Sequence, residues 1–128
     1  MNRTLFFFQR GDYESMHQGL SAAAAAAALG HSCELYFFWH ALGRLVKGPL
    51  DAPDQEDTAD QLEARGVPTL GELLQSVRGS GQARLYACSG SLAALGLKPN
   101  EIEAHVDELL GWTSIMTRTR GVVDRFFF

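Results

Sequence analysis

Cys88 is the residue of this sequence best placed to do chemistry. It directly follows Leu85–Ala87, a short apolar run that predicts a buried strand, and it precedes Ser89–Ser91 and a helical stretch that ends at Gly96. A strand followed by a tight turn and a helix start would lift Cys88 clear of the sheet and leave free backbone N–H groups beside its sulfur. Because a helix N-terminus favours an anion, we expect the thiolate form to be stabilised there. The pattern predicts a sulfur nucleophile, with a small buried core residue as the alternative.

The neighbours of this cysteine supply candidate donors for a sulfur anion. Ser89, Gly90 and Ser91 offer backbone N–H groups and hydroxyls, although the same residue types are common in ordinary turns and helix caps. Two residues that follow predicted strands are accessory candidates. His40 could polarise or deprotonate a thiol, with a packed or solvated histidine as the alternative. Arg10 could hold an anionic group of a substrate, with a surface ion pair as the alternative.

The second cysteine and the histidines give no sign of a cofactor. Cys33 lies near the start of the second predicted strand, where core packing is the better interpretation. A disulfide between Cys33 and Cys88 is not expected, because opposite strand ends lie too far apart. His31 and Cys33 make no zinc site by themselves, since nothing nearby completes the ligand set. Nucleotide-binding and hydrolase motifs are also absent from the sequence. We therefore expect neither a metal nor an organic cofactor.

The composition is that of one ordinary globular domain over residues 1–128. Apolar residues make up 46% of the chain and charged residues 20%, which argues against disorder. A net charge of -4 gives no electrostatic basis for direct binding to nucleic acid. The apolar runs are too short for a membrane span or a signal peptide. With only two cysteines and no disulfide scaffold, we expect a cytoplasmic protein with free thiols.

Apolar runs and helix signals alternate along the chain. Continuous apolar strands are typical of a parallel sheet that is covered on both faces. We therefore predict an α/β fold, a three-layer α/β/α sandwich with a mainly parallel sheet of about five strands. Strands are predicted at Leu5–Phe8, Cys33–Trp39, Leu85–Ala87, Val106–Leu110 and Val122–Phe128. Helices are predicted at Tyr13–Leu29 with Asp12 as N-cap, at His40–Val46, after the capping box Thr69–Glu72, after Ser91, at Glu101–Ala104 and at Thr113–Thr119.

Residues 47–67 differ from the rest of the chain in being rich in acidic residues and in the structure-breaking residues glycine and proline. We interpret this stretch as a long acidic surface loop with a marginal helical turn near Ala59–Ala64. A loop of this length in a compact domain is usually either functional or disordered, and the sequence does not decide between the two. Its acidic residues are expected to be solvated, or less plausibly to dock a basic partner.

Several chemically capable residues follow predicted strands. In a parallel sheet the carboxyl ends of the strands meet at one edge, which is where ligands bind. Gln9–Arg10, Trp39–His40, Cys88 and Gly111–Trp112 all come at such ends. The order of the strands is not readable from the sequence, so the distances among these residues stay open.

The segment Tyr86–Leu97 resembles the cysteine segment of the DsrE/DsrF-like family of small sulfur-handling proteins. The opening of the chain is similar too: an apolar strand, Gly11–Asp12, an alanine-rich helix, Gly30 and the apolar strand Glu34–Trp39. The resemblance implies an α/β/α domain that assembles into trimers or hexamers. It also implies persulfide chemistry, in which sulfane sulfur passes along a relay between donor and acceptor proteins. The active cysteine of the family falls on Cys88.

Three hypotheses follow from the residues and the resemblance together. The first is a cytoplasmic, sulfurtransferase-like carrier that holds sulfane sulfur as a persulfide on Cys88 and passes it to an acceptor thiol. The second is a non-catalytic oligomeric module that binds a small ligand or a partner, in which Cys88 is incidental. The third is a thiol redox protein, which would need an intermolecular partner because no resolving cysteine is well placed.

Overall fold

The structure, a computed structural model, describes residues 2–54 and 59–128 of the chain. Its strands are β1 Arg3–Phe8, β2 Ser32–Phe37, β3 Ala83–Cys88, β4 Glu108–Leu110 and β5 Arg125–Phe127. Its helices are α1 Tyr13–Ala28, α2 Trp39–Lys47, α3 Ala59–Ala64, α4 Leu70–Gly79, α5 Ser89–Ala94, α6 Pro99–Ile102 and α7 Trp112–Arg118. The strands form one sheet in the order β4-β3-β2-β1-β5, and every neighbouring pair is parallel. The predicted α/β fold with a parallel five-stranded sheet is confirmed.

Three strands are shorter than the sequence predicts, because a helix or a turn occupies part of each predicted range. Trp39 is not the end of β2 but the start of α2, and its φ of 43° lies in the left-handed region that a strand cannot contain. The Val106 N–H donates to the Ile102 carbonyl oxygen at 3.1 Å, which closes the turn after α6 before β4 begins. The Val122 N–H donates in the same way to the Thr119 carbonyl oxygen at 3.2 Å, so β5 begins later.

The predicted caps of α1 and α4 are confirmed, while the observed bounds of α2, α5, α6 and α7 differ from the predicted ones by one or two residues. Asp12 caps α1 by accepting a hydrogen bond from the Ser15 N–H at 3.0 Å. Thr69 and Glu72 form the reciprocal capping box of α4, with hydrogen bonds of 3.0 and 3.2 Å. Gly30 follows α1 with a φ of 84°, a conformation that only glycine adopts without cost. These local signals fix where the two longest helices begin and where α1 ends.

The two faces of the sheet are covered unequally. One face packs against α1, α2, α4, α5 and α6 in the larger hydrophobic core. The opposite face, which we call the α7 face, is covered by α7 alone among the helices that the structure describes. Its buried residues are Leu5, Phe7, Tyr36, Phe38, Tyr86, Cys88, Leu110 and Ile115. The third layer of the predicted sandwich is therefore a single helix of seven residues.

A row of aromatic rings crosses the α7 face. Phe127 of β5 stacks on Phe7 of β1 with ring centroids 4.8 Å apart, and Phe7 stacks on Tyr36 of β2 at 5.1 Å. Tyr36 stacks in turn on Tyr86 of β3 at 4.9 Å. Side chains at matched positions of parallel strands point to the same side, so the row is a direct product of the strand register. It ties four strands together through buried aromatic area.

The described part of the acidic stretch is fastened to the domain rather than free. The Asp51 carboxylate accepts a hydrogen bond from the Gly71 N–H at 2.8 Å, at the start of α4. The Asp54 carboxylate accepts one from the Tyr13 N–H, at the start of α1. Both residues are exposed, as expected of a solvated stretch, and their carboxylates in addition interact with helix N-termini, where anions are favourable. The predicted helical turn is confirmed as α3, while residues 55–58 of the predicted loop lie outside the described residues.

Helix α1 lies unusually close to β1. A Cβ atom at Gly19 would lie 2.2 Å from Cε1 of Phe8, whose ring is fully buried. The alanines that follow, including Ala23, Ala26 and Ala27, are buried against the same core. Small side chains along this helix thus permit the close helix–sheet approach that the alanine-rich sequence suggested.

Gly19→Ala should therefore destabilise the fold. The added methyl group must displace the buried Phe8 ring, and overpacking of this kind costs about 1–3 kcal/mol. Gly43→Ala is the matched control, because a Cβ atom in that helical glycine would meet only Leu95 at an ordinary 3.8 Å. Urea unfolding followed by circular dichroism measures both variants. Equal stability of the two variants would show that α1 and β1 do not pack as closely as described.

Candidate functional site

The carboxyl ends of the parallel strands meet at one edge of the sheet and enclose a cleft. The segments after β1, β2, β3 and β4 all contribute to it, as the sequence predicts for this edge. The cleft has a volume of about 420 Å³. It is lined by Gln9, Phe38, Trp39, Cys88, Gly90, Ser91 and Trp112, and we call it the Cys88 cleft.

Cys88 is deeper than the sequence suggests. It is the last residue of β3 and the N-cap of α5, and only 3% of its surface is exposed. The expectation that the turn lifts Cys88 clear of the sheet is wrong, because strand alternation points its side chain onto the α7 face beside Leu110 and Ile115. Its sulfur is reached through the Cys88 cleft rather than from the open surface.

Two polar groups in this cleft are without hydrogen bonds inside the protein. Within residues 2–54 and 59–128, neither the Cys88 thiol nor the Ser91 hydroxyl has a hydrogen-bond partner. Ser91 is only 2% exposed. Every side-chain oxygen that is completely enclosed in the described part of the chain has a hydrogen-bond partner. Because the Ser91 hydroxyl has none, its oxygen is not completely enclosed and must reach the surface of the cleft. A buried polar group left unpaired is costly unless water or a ligand satisfies it. The two groups are therefore available to something that enters the cleft.

Cys33 provides the contrast. It lies at the start of β2, on the opposite face of the sheet from Cys88, and both cysteines are free. Its thiol donates weak hydrogen bonds to the carbonyl oxygens of Ala23 and His31, at 3.8 and 3.5 Å. Burial raises the pKa of the Cys33 thiol, which disfavours the reactive thiolate. The predicted packing of Cys33 in the core is confirmed, and the two thiols lie on opposite faces of the sheet.

The three residues after Cys88 are not equivalent. Gly90 lines the cleft, and a Cβ atom there would lie 3.8 Å from the sulfur of Cys88. Ser91 lines it as well, whereas Ser89 is exposed outside the lining and its hydroxyl faces Gly111. The helix that these residues begin has only six residues, and Cys88 makes no side-chain capping bond to it. Stabilisation of the thiolate by this helix stays a prediction.

The two accessory candidates lie outside the cleft. His40 is exposed on α2, with its ring tilted against Trp39 at a centroid distance of 6.3 Å. Arg10 is exposed in a neighbouring cleft that it shares with Gln9 and Phe127. The structure therefore does not bring either side chain to the Cys88 thiol.

Aromatic side chains wall the cleft, a role that the sequence did not assign to them. Phe38 stacks on Trp112 with ring centroids 4.9 Å apart. Trp39 and Trp112 are 55% and 47% exposed, so both rings stand at the rim. The left-handed backbone of Trp39 costs about 1–2 kcal/mol, a strain of the kind found at ligand-binding edges. The usable signal was the position of both tryptophans at the carboxyl ends of predicted strands.

The buried charges of the α7 face lie near the opposite edge of the sheet. Glu34, near the start of β2, accepts hydrogen bonds from the Arg3 guanidinium at 2.6 and 2.9 Å and from the Tyr36 hydroxyl at 2.7 Å. Burial alone would raise the pKa of Glu34, but these hydrogen bonds outweigh it and keep the pKa below its ordinary value. The network is fully paired, so it has a structural explanation.

The described residues contain neither a cluster of metal-binding side chains nor a helix that could span a membrane. Across residues 2–54 and 59–128, no three side chains of the metal-binding types come together. None of the helices in these ranges is long and apolar enough to span a bilayer.

Small alkylating reagents should distinguish the two thiols. We expect iodoacetamide to modify Cys88 of the native protein well before Cys33, because only Cys88 faces a cleft and burial holds the Cys33 thiol in its protonated form. Peptide mapping by mass spectrometry after short exposures gives the order of modification. In urea the two cysteines should react at similar rates. If Cys33 of the native protein reacted first, the described access to Cys88 would be incorrect.

Comparison with solved structures supports the fold. The structure titled "Structure of Protein of Unknown Function MTH1491 from Methanobacterium thermoautotrophicum" is similar over 100% of both chains, with a TM-score of 0.65 and 17% sequence identity. A similarity at this identity concerns the fold alone. Comparison with curated proteins gave no match.

The sequence comparison with protein families is more specific. The sequence pattern of the DsrE/DsrF-like family matches residues 2–119, nearly the whole chain, including the strand, turn and helix around Cys88. The chain therefore belongs to the DsrE/DsrF-like family.

Proposed function

We propose that the protein is a sulfur-relay protein that carries sulfane sulfur as a persulfide on Cys88. The observation that carries the proposal is the pair of unpartnered groups in the Cys88 cleft, a thiol and the hydroxyl of Ser91. Membership of the DsrE/DsrF-like family supports sulfur chemistry at this position. In contrast to Cys33, Cys88 combines a reachable sulfur with a free hydrogen-bond donor beside its cleft.

The proposed cycle has two thiol exchange steps. The Cys88 thiolate attacks the outer sulfur of a donor persulfide, R–S–SH; the donor S–S bond breaks and R–S⁻ leaves with the bonding electrons. The product is Cys88–S–SH. An acceptor thiolate, R′–S⁻, then attacks the outer sulfur, forms R′–S–SH and releases the Cys88 thiolate. One sulfur atom moves in each step, and no metal or external oxidant is needed.

The cleft residues have separate roles in this cycle. Ser91, whose hydroxyl has no partner in the described part of the chain, donates its hydrogen to the anionic sulfur of the entering donor and to the outer sulfur of the persulfide. Gly90 leaves open the space next to the sulfur, since it has no side chain. The aromatic rings of Phe38 and Trp112 provide polarisable contacts to sulfur, which are favourable by about 0.3–1.5 kcal/mol each.

The proposal includes partners and a location. A sulfur donor and an acceptor protein act in sequence at the cleft, in the cytoplasm, without direct binding to nucleic acid. We also propose that copies of the chain associate into a trimer or hexamer. Large exposed apolar side chains on α7, on β5 and between them favour such a contact: Met116, Val123 and Phe127.

Persulfidation should occur at Cys88 and depend on Ser91. After incubation with polysulfide, the intact mass of the wild type should rise by one or more sulfur atoms, a rise that dithiothreitol reverses and that Cys88→Ser lacks. Cys33→Ala should still show it. Ser91→Ala should slow the reaction by about tenfold, because a hydrogen bond to a charged group contributes about 1.5 kcal/mol.

Ser89→Ala is the matched control, since that hydroxyl lies two residues away and outside the cleft lining; its rate should equal that of the wild type. A wild type that gains no sulfur would contradict the carrier function. It would favour instead the non-catalytic binding module, for which the aromatic-walled cleft is the place to search for a ligand.

Association of copies should depend on the apolar side chains around α7. We expect sedimentation velocity to show a trimer or hexamer for the wild type and a monomer for the double variant Met116→Glu, Val123→Glu, because buried unpaired carboxylates oppose association. Leu29→Glu places the same charge on an exposed residue at the end of α1 and should leave the assembly unchanged. A monomeric wild type would contradict the proposed oligomer.

A further inference from the structure

We infer that the sulfur donor that enters the Cys88 cleft is a small hydropolysulfide rather than a persulfide carried on a peptide such as glutathione. The inference rests on the proposed function, because it names the donor class for the same thiol. Three properties of the cleft carry it: the depth of the sulfur, the absence of charge in the lining, and the unpaired hydroxyl of Ser91.

Depth limits what can reach the sulfur. Cys88 is 97% buried, and Ser91 beside it in the cleft is buried to a similar degree, whereas Gln9, the other polar side chain of the lining, is exposed. Trp39 and Trp112 stand half exposed at the rim, so a reagent must pass between bulky rings before it meets the thiol. A sulfur atom at the end of a short chain can do this with little disturbance, whereas a peptide-borne persulfide must bring its backbone to the rim to meet the Cys88 sulfur itself. An acceptor protein has a shorter distance to cover, because its thiolate attacks the outer sulfur of Cys88–S–SH, one S–S bond further out.

The absence of charged side chains in the lining further restricts which donors can bind. Apart from the thiol itself, none of the described residues that line the Cys88 cleft carries an ionisable side chain. Arg10, the cation that follows β1, lines the neighbouring cleft instead. The carboxylates of a glutathione persulfide would therefore lose water at the rim without gaining a cationic partner, which is costly. A hydropolysulfide carries its charge on sulfur, where the Ser91 hydroxyl can hydrogen-bond to it.

The chemistry balances with this donor. The Cys88 sulfur attacks the protonated sulfur of the hydrodisulfide anion HS–S⁻, the S–S bond of the donor breaks, and the departing sulfur takes the bonding electrons and the proton of the Cys88 thiol and leaves as HS⁻. Cys88–S–SH keeps the remaining sulfur and its proton. The cysteine sulfur is oxidised and the departing sulfur is reduced, so no further reactant takes part. Soft, polarisable sulfur is also well suited to a cleft walled by aromatic rings.

The test compares donors on the same thiol. Cys33→Ala protein is exposed to equal sulfane sulfur from sodium disulfide or from glutathione persulfide, and intact mass gives the rate of persulfidation at Cys88. The same chain unfolded in urea supplies the intrinsic reactivity of each donor. Relative to that reference, we expect the folded protein to disfavour glutathione persulfide against disulfide by about tenfold, the effect of leaving a desolvated charge uncompensated.

Two substitutions at the rim test whether the narrow entry and the missing cation cause the preference for the small donor. Trp112→Ala should raise the relative rate with glutathione persulfide by widening the entry, and Trp112→Arg should raise it further by supplying a cation. Circular dichroism and thermal unfolding verify that both variants fold. If one of them does not fold, the ratio of the two donor rates on Cys33→Ala protein still decides the inference.

The outcomes separate the two proposals. If the folded protein shows no preference between the donors, the inference about the donor is overturned while Cys88 stands as a carrier. If neither donor adds sulfur to the folded protein although both modify the unfolded chain, the carrier function itself fails, and the inference with it.

Discussion

The parallel pairing of β1, β2 and β3 is the constraint on which the rest of this structure depends. Because the three strands run in one direction and in register, their carboxyl ends reach the same edge together. The same register stacks Phe7, Tyr36 and Tyr86 across the α7 face. One arrangement thus produces both the aromatic layer that buries Cys88 and the edge at which its sulfur becomes accessible.

Burial and reactivity are usually opposed in cysteines, and this site reconciles them by geometry. The side chain of Cys88 is enclosed almost as completely as that of Cys33. The difference is that one thiol has only apolar packing and carbonyl oxygens around it, while the other faces a cleft with a free hydroxyl. A protected sulfur with a narrow entry is also shielded from unwanted oxidation, a property that suits the proposed persulfide carrier.

Local features of the sequence predicted most of the fold. The caps at Asp12 and Thr69 and the apolar runs of the strands depend on near neighbours, so they can be recognised without knowing the tertiary structure. Strand order cannot be recognised from near neighbours, because a crossover connection does not specify beside which strand the next one pairs. The depth of Cys88 and the stacking of Phe38 on Trp112 both depend on that order. The accessory roles of His40 and Arg10 were expected from their place after strands, but the directions of their side chains were not readable.

The position of β5 in the sheet has a consequence for how the chain folds. Leu5 in β1 pairs with Arg125 in β5. The apolar strand β1 therefore has β2 on one side and, on the other, a strand from a distant part of the chain. Bringing β5 to β1 closes a long loop, which costs more chain entropy than pairing β1 with β2. We therefore expect it to be the slower of the two steps. Until β5 pairs, the phenylalanine-rich edge of β1 is exposed, and an unpaired apolar strand edge favours aggregation during folding. Association between copies at β5 would cover the same edge region once folding is complete.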